Sequence, residues 1–430
     1  MAVREMKDSG IDWIGMMPNV WNLKPLKHCV NLKTTKCKTK GRYVGLEHVK
    51  SWEGQLISST DEEPIAEGDT LTFTKGDVLF GKLRPYLAKC FFALHDGSCS
   101  TEFLVLKPTN IDGLFLKFSL LTSSFIDTVN MSTNGVKMPR ANWDFIGTIK
   151  MPIPDIKEQI AIANFLDTKC AEIDTLTSDI EKQIETLQEY KKSVITEAVT
   201  KGLDPNVEMK VTEYTWINSV PSTWKCELLK RSFSFGKGLP ITKADLEDEG
   251  ISVLSYGQIH SKNNKGYHLV QKLLRYVAPN YQNEYPNCLV KQGDILIADT
   301  SEDLEGIGNS CVNDIEIPLF AGYHTLILRN RNINLNSRYC AYQFLSQNWR
   351  NQLRALANGI KVFSITQKIL KQVQILIPPI EEQNKIVDYL DHRCCEIEKI
   401  ISDKEKQIEV LAKYKQSLIY EVVTGKKEIE

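Results

Sequence analysis

The sequence is most telling at first through what it is missing. No apolar run approaches the roughly 18 residues that a membrane span needs, so no span is expected. The opening stretch, Met1 to Gly10, is polar and has no apolar signal core, which argues against a secretory leader. Eleven cysteines are present, but no Cys-x-x-Cys occurs; Cys394 and Cys395 are adjacent, the wrong spacing for paired zinc ligands. An odd, scattered set of thiols predicts reduced cysteines in a cytosol. The seven histidines show no metal-ligand spacing, so no metal site is expected. No Asn-Pro-Pro-aromatic or Asp-Pro-Pro-aromatic sequence occurs, so adenine methylation is not encoded in this chain. No nucleophile motif frames its serines. The formal net charge is −1, and bulk charge therefore names no partner.

Two near-misses fail on chemistry. Gly76-Asp-Val-Leu-Phe-Gly-Lys-Leu83 almost spells a phosphate-binding loop, but Leu83 has no oxygen for magnesium and the middle is strand-like. Pro154-Asp155 followed by Asp167-Thr-Lys169 mimics a nuclease carboxylate set. A second copy of the segment replaces the first acid with Pro379 and continues Asp391-His-Arg393, so no metal site survives. The balance points to binding rather than catalysis, with no catalytic, cofactor or metal residues expected.

What is present is a duplication. Residues 153–200 and 377–424 align without a gap at a shift of 224, with 26 of 48 positions identical. Upstream, Asn134-Gly135-Val136-Lys137 matches Asn358-Gly359-Ile360-Lys361 in the same register. Each half also opens alike: Trp13-Ile14, Pro18, Trp21 and Leu26-Lys27 match Trp216-Ile217, Pro221, Trp224 and Leu229-Lys230 at a shift of 203. Between these anchors similarity is faint, apart from Lys75-Gly76-Asp77-Val78-Leu79 against Gln292-Gly293-Asp294-Ile295-Leu296. The expected organisation is a variable block (1–152), a shared helical segment (153–203), a second variable block (204–376) and a second helical segment (377–430).

Charge follows this division. Lys+Arg against Asp+Glu is 19 to 16 over 1–150 and 19 to 15 over 205–376, but 5 to 10 over 155–200 and 7 to 10 over 379–424. Basic blocks alternating with acidic segments suit polyanion binding by the blocks.

The shared segments predict long helices. No Pro or Gly interrupts the run from Lys157 to Gly202. Leu166, Ile173, Ile180, Leu187 and Val194 recur every seven residues, with Ile162, Cys170, Leu176, Ile184 and Tyr190 between them, as in a coiled-coil seam. The second copy keeps Leu390, Ile397, Leu411 and Leu418 but places Lys404 where Ile180 stands. About 43 residues would make a rod of roughly 60 Å. A lone rod with one apolar stripe needs a partner. The two copies are expected to pair antiparallel with pseudo-twofold symmetry; packing of each on its own block is the alternative. Outer acids (Glu158, Glu172, Asp179, Glu181, Glu185 and Glu189) are either solvation or a docking face.

The blocks read as mixed α/β, giving an α+β chain overall. Strands are expected at 75–80, 103–106, 294–297 and 325–328, and helices at 114–129 and 337–356. Candidate DNA-contacting cations are Lys36, Lys38, Lys40, Arg42, Lys82, Arg84, Lys137 and Arg140 in the first block. In the second they are Lys237, Lys243, Lys262, Lys265 and Lys361. All are expected in loops, where lysine and arginine suit phosphate contact and base-edge reading.

The whole length resembles the specificity subunits of type I restriction–modification systems. The motifs are Asp8-Ser-Gly-Ile-Asp-Trp13-Ile-Gly15 with Pro18 and Trp21, Lys75-Gly-Asp-Val-Leu-Phe-Gly-Lys-Leu-Arg-Pro-Tyr86, and Gly135-Val-Lys-Met-Pro-Arg140. The strongest is Pro154 to Gln159 with Phe165-Leu166-Asp167, Ile173-Asp174 and Ala198-Val-Thr200, repeated from Pro378. The second half departs at Asn218-Ser219, where a Gly-acidic pair is usual. The resemblance implies two target-recognition domains, each reading half of a bipartite, asymmetric site in double-stranded DNA. The helices would fix half-site spacing and dock two methyltransferase subunits, and restriction motor-nuclease subunits would join them. S-adenosylmethionine, ATP and magnesium would belong to those partners, with no cofactor bound by this chain. A cytoplasmic, nucleoid-associated prokaryotic protein is implied, with no membrane partner. The competing reading is a coiled-coil scaffold whose end domains bind protein or RNA. Steep salt dependence would favour DNA.

Overall fold

The structure is a computed structural model and describes residues 4–38, 42–57, 69–133, 137–359 and 361–429. The candidate Lys40 lies outside the described residues, as does the side chain of Lys38. The chain divides into two units: residues 1–181 with 404–430, and residues 182–403.

In the first unit, strands Val30–Lys33, Phe103–Pro108, Val78–Gly81 and Cys90–Phe92 lie side by side in that order, all antiparallel. Val78–Gly81 is buried at all four positions, which is why a short unbroken apolar run forms a strand here. A second sheet orders Lys36–Lys38, Asp69–Phe73, Gly97–Ser100 and Tyr43–Val44. A ribbon of Asn22–Pro25 against Lys150–Ile153 leads into the first long helix, Ile156–Lys201.

The second unit repeats the central sheet with largely different residues. Strands Phe233–Lys237, Thr325–Asn330, Ile295–Ala298 and Ser310–Val312 stand in the same relative order, again antiparallel. The ribbon recurs as Lys225–Leu228 with Gln374–Ile377, ahead of the second long helix, Ile380–Val423. The other sheet, Arg275–Val277, Ile251–Leu254, Leu319–Ala321 and Leu289–Val290, has its own strand order and one parallel pair.

The recurring Gly-Asp pair is a turn. Gly76 and Gly293 have φ of +93° and +88°, a region open to glycine. Asp77 accepts from the Thr74 amide at 2.7 Å, and Asp294 from the Lys291 amide at 2.9 Å. A turn that launches a buried strand leaves no phosphate cradle.

Each unit contains one half of each long helix. In the first, Ile162, Ala163, Leu166, Cys170 and Ile173 share one apolar cluster with Leu418, Ile419, Val422, Val423 and core residues of the block. In the second, Ile195, Ala198 and Val199 do the same with Ile386, Val387, Leu390 and Cys394. The helix halves run antiparallel within each unit. Asp174 meets Lys415 while residues further back, Glu158 and Ile162, line a cleft with Val422 and Lys427. Lys191 meets Glu398 while Gly202 approaches Glu382. Helix pairing and helix-on-block packing, posed as alternatives, therefore coexist in one core.

Of the seam residues, Leu166, Ile173, Ile180, Leu390, Ile397 and Leu418 are buried, and Leu187, Val194 and Leu411 are half-buried. Leu176 and Tyr190 do not belong to it: they are 50% and 46% exposed, because blocks cover one flank of each helix and shift the buried stripe off a strict heptad. The expected domain limits also move. Residue 152 falls inside Lys150–Ile153, and the helices divide between units at 181/182 and 403/404. Two expected block helices are each broken. Gly113–Leu120 and Ser123–Met131 are separated at Leu121-Thr122, and Ser337–Leu345 and Gln347–Leu356 at Ser346, whose hydroxyl caps the second.

Candidate nucleic-acid interface

The expected cations are not all in loops. Lys36 and Lys38 lie on a strand, and Lys237 ends Phe233–Lys237, because each belongs to a sheet ladder with distant partners. Lys243 sits in a single 3-10 turn. Three cations are already paired. Lys36 meets Asp69 at 3.0 Å, Arg140 makes two 3.1 Å bonds to Glu102, and Lys265 meets Glu398 at 2.6 Å. Lys265 thereby serves the helix frame. Arg42, Lys137, Lys237, Lys243, Lys262 and Lys361 are exposed and have no counter-ion among the described residues.

One constellation gathers several candidates in the first unit. Where Val78–Gly81 ends, the chain continues through Lys82, Leu83 and Arg84 beside Pro139 and Arg140. The Ala141 amide donates to the Lys82 carbonyl at 2.9 Å, and the Arg84 amide to that of Pro139 at 2.8 Å. The Lys82 amide donates to the Glu102 carbonyl at 2.9 Å. Arg84 has φ +51° and a buried Nε without a partner among the described residues. A non-glycine residue held there costs of order 1 kcal/mol or more, a form of strain that collects at functional sites.

The second unit builds the same edge from residues that the cation search passed over. The Ile365 amide donates to the Asp299 carbonyl at 2.8 Å, and Thr300–Ser301 pairs with Phe363–Ser364. The Asp299 amide donates to the His324 carbonyl at 3.1 Å. Lys82, Arg84, Glu102 and Arg140 thus correspond to Asp299, Ser301, His324 and Ser364. His324 also carries a positive φ, +54°. Its Nδ1 lies 3.3 Å from both Asp299 Oδ1 and Thr300 Oγ1, and the Thr300 hydroxyl donates to Asp299 at 2.7 Å. A proton relay needs both imidazole nitrogens, one toward each partner; here one nitrogen faces both, so the trio is not a catalytic relay. Tyr256 packs edge-on against Tyr323 and His324 at 5.5 and 5.4 Å. The Lys75–Leu79 match to Gln292–Leu296 carried the signal: extended a few residues, it sets 82–84 opposite 299–301.

Near the turns that start these strands, equivalent glutamines tie helix to block. Gln159 accepts from the Asp112 amide at 2.7 Å and donates to the Pro154 carbonyl; Gln383 accepts from the Asn336 amide at 2.8 Å and donates to the Asn334 and Pro378 carbonyls. Buried thiols are inert spectators: burial pushes Cys90 and Cys311 up to about 12.

The family model for the type I restriction modification DNA specificity domain matches twice, over residues 27–186 and 223–410. The chain belongs to that family. Its two specificity-domain matches each take in one block and most of one long helix. The chain is 26% identical over 89% of its length to the type I restriction enzyme MjaVIII specificity subunit of Methanocaldococcus jannaschii, covering 85% of that protein. It is 24% identical over 96% of its length to the putative MjaX specificity subunit of the same organism, covering 95% of it. Among solved structures, a chain from a study of assembly and conformational transition in the type I R-M system superposes with a TM-score of 0.71 at 17% identity, covering 95% of this chain and 98% of that one. The HsdS subunit from Thermoanaerobacter tengcongensis gives 0.51 at 18% identity, over 96% and 98%. At these identities the superpositions establish the specificity-subunit fold. No helix among the described residues is long and apolar enough to cross a membrane.

Proposed function

We propose that this chain is the DNA-reading subunit of a type I restriction–modification complex, each block recognising one half of a bipartite, asymmetric site. It is the recognition component and not a catalytic one. The observation that carries this is one sheet built twice, each ending in an edge of different chemistry: Lys82, Arg84 and Arg140 in one unit, Asp299, Thr300 and His324 in the other. Arginine suits guanine O6 and N7, and aspartate accepts from cytosine N4, so unlike edges suit unlike half-sites.

The long helices, 46 and 44 residues, would set half-site spacing, with centres about one turn, near 34 Å, apart. Their exposed acids would dock two methyltransferase subunits, and restriction subunits would join. S-adenosylmethionine, ATP and magnesium would stay with those partners, in the cytoplasm at the nucleoid. Expressing the chain with its methyltransferase subunit and sequencing methylated adenines tests the reading. A bipartite motif is expected, and replacing residues 1–152 with another specificity subunit's block should change one half and leave the other. A change in both halves at once would defeat it.

A further inference from the structure

The two edges share a backbone and almost no chemistry. Lys82, Arg84, Glu102 and Arg140 face Asp299, Ser301, His324 and Ser364 in the correspondence, a change of type at every position. One exposed pair escapes this. Lys137-Met138 and Lys361-Val362 stand at equivalent positions, each a lysine followed by an apolar residue. Both lysines are exposed and lack counter-ions among the described residues, while Met138 and Val362 are 54% and 51% exposed. None of the four contributes to a core, so packing does not explain why they match.

The backbone shows how the pair is presented. In the second unit, Asn358 and Ser364 close a hairpin, the Ser364 amide donating to the Asn358 carbonyl at 2.9 Å. Gly359 has φ +139°, and the Val362 carbonyl occupies the space that a Cβ would need. Only glycine fits, and the tight reversal leaves Lys361 and Val362 on the outside, beside Phe363 and Ser364 of the edge. In the first unit Lys137 and Met138 precede Pro139 and Arg140, which lie against Arg84 and Leu83.

Two readers of different half-sites need different base contacts, but phosphates are alike at every step. A position that keeps its chemistry in both readers suits the constant part of DNA; a position that changes suits the bases. We propose that each edge divides its labour in this way. Lys137 and Lys361 contact backbone phosphates, with Met138 and Val362 against the adjoining sugars. The set 82, 84, 102 and 140, and the counterparts 299, 324 and 364, read base pairs; Ser301 is buried, its hydroxyl donating to the Asp303 carbonyl at 2.7 Å. This rests on the DNA-reading function proposed above.

The test uses the chain assembled with its methyltransferase subunits and two probes: a duplex carrying the mapped methylation motif and a duplex of random sequence, titrated across salt concentrations. Lys137→Ala and Lys361→Ala should weaken both probes by the same factor, each lowering the slope of log affinity on log salt by about 1. Lys137→Arg and Lys361→Arg should restore both. Arg140→Ala and His324→Ala should instead reduce discrimination within one half-site roughly tenfold, leaving the random duplex little changed. Two results would overturn the proposal: an alanine variant with unchanged salt slope, or one that binds DNA normally but fails to assemble with methyltransferase. A wild-type complex that binds the motif no better than random sequence would instead defeat the underlying DNA-reading function.

Discussion

The two places where the long helices cross are worth setting side by side. Lys191 and Lys415 are equivalent under the 224-residue shift, as are Glu398 and Asp174, and each lysine pairs with the acid of the other helix, at 2.5 and 2.6 Å. Around that common pair the blocks add different partners. Glu398 also receives Lys265 and Tyr267, the latter stacked on Tyr342 at 4.5 Å; among the described residues Asp174 adds only Gln55, at 3.1 Å. The frame keeps its charge pair, and each block improvises around it. The sheet edges show the opposite balance, a constant backbone with exchanged side chains. Divergence has been free at the edges we propose to read DNA and constrained where the helices must meet.

The equivalence can be broken or sharpened by substitution. Leu166 and Leu390 are matched, fully buried residues, and each replaced by Ala should cost about 2–5 kcal/mol. Chemical denaturation should show both losses in that range; a negligible loss at either site would mean that the two cores are not equivalent. Gln159→Ala and Gln383→Ala each leave buried backbone groups unpaired, a loss of about 1–3 kcal/mol, with Gln383 the larger because it bonds three groups rather than two.

Acid should separate the units next. Burial alone would raise the Glu398 carboxyl, but bonds from Lys191, Lys265 and Tyr267 outweigh it and hold it down at about 2. A carboxylate depressed below its usual value of roughly 4.3 stabilises the fold above that pH. The contribution is lost as pH falls from there through about 2. Near-ultraviolet dichroism of the stacked Tyr267–Tyr342 pair should report this loss in the second unit, and Glu398→Gln should abolish that pH dependence. The smallest effect is expected at Lys36, whose pair with Asp69 is two-thirds exposed: Lys36→Ala should shift stability by less than about 1 kcal/mol in the same denaturation assay.

The helical frame was legible because period and duplication speak together: a stripe without Pro or Gly, repeated at a fixed shift, allows little else. The central strands were legible as unbroken apolar runs such as Val78–Gly81 and Ile295–Ala298. The edges were not. A search by charge finds Lys82, Arg84 and Arg140 but passes over Asp299 and His324, which occupy the same positions. It also counts Lys265, whose partner Glu398 stands 133 residues away and is brought close only by folding. The helix breaks lie at Thr122 and Ser346, where a hydroxyl looks like one more helical residue; Ser346 caps the helix that follows, and Thr122 donates back to the Ser119 carbonyl.

The first unit is closed by the far end of the chain. Gly425, at φ +73°, lies against Pro18 and Trp21, and the Tyr420 hydroxyl reaches the Ile14 carbonyl. The second unit is one continuous stretch, 182–403. During synthesis the reader made last therefore holds all its parts while the reader made first still waits for its closing strap. Deleting residues 404–430 should leave the amino-terminal reader open and the other intact, so a truncation after residue 403 would be felt in the half-site read by the first block.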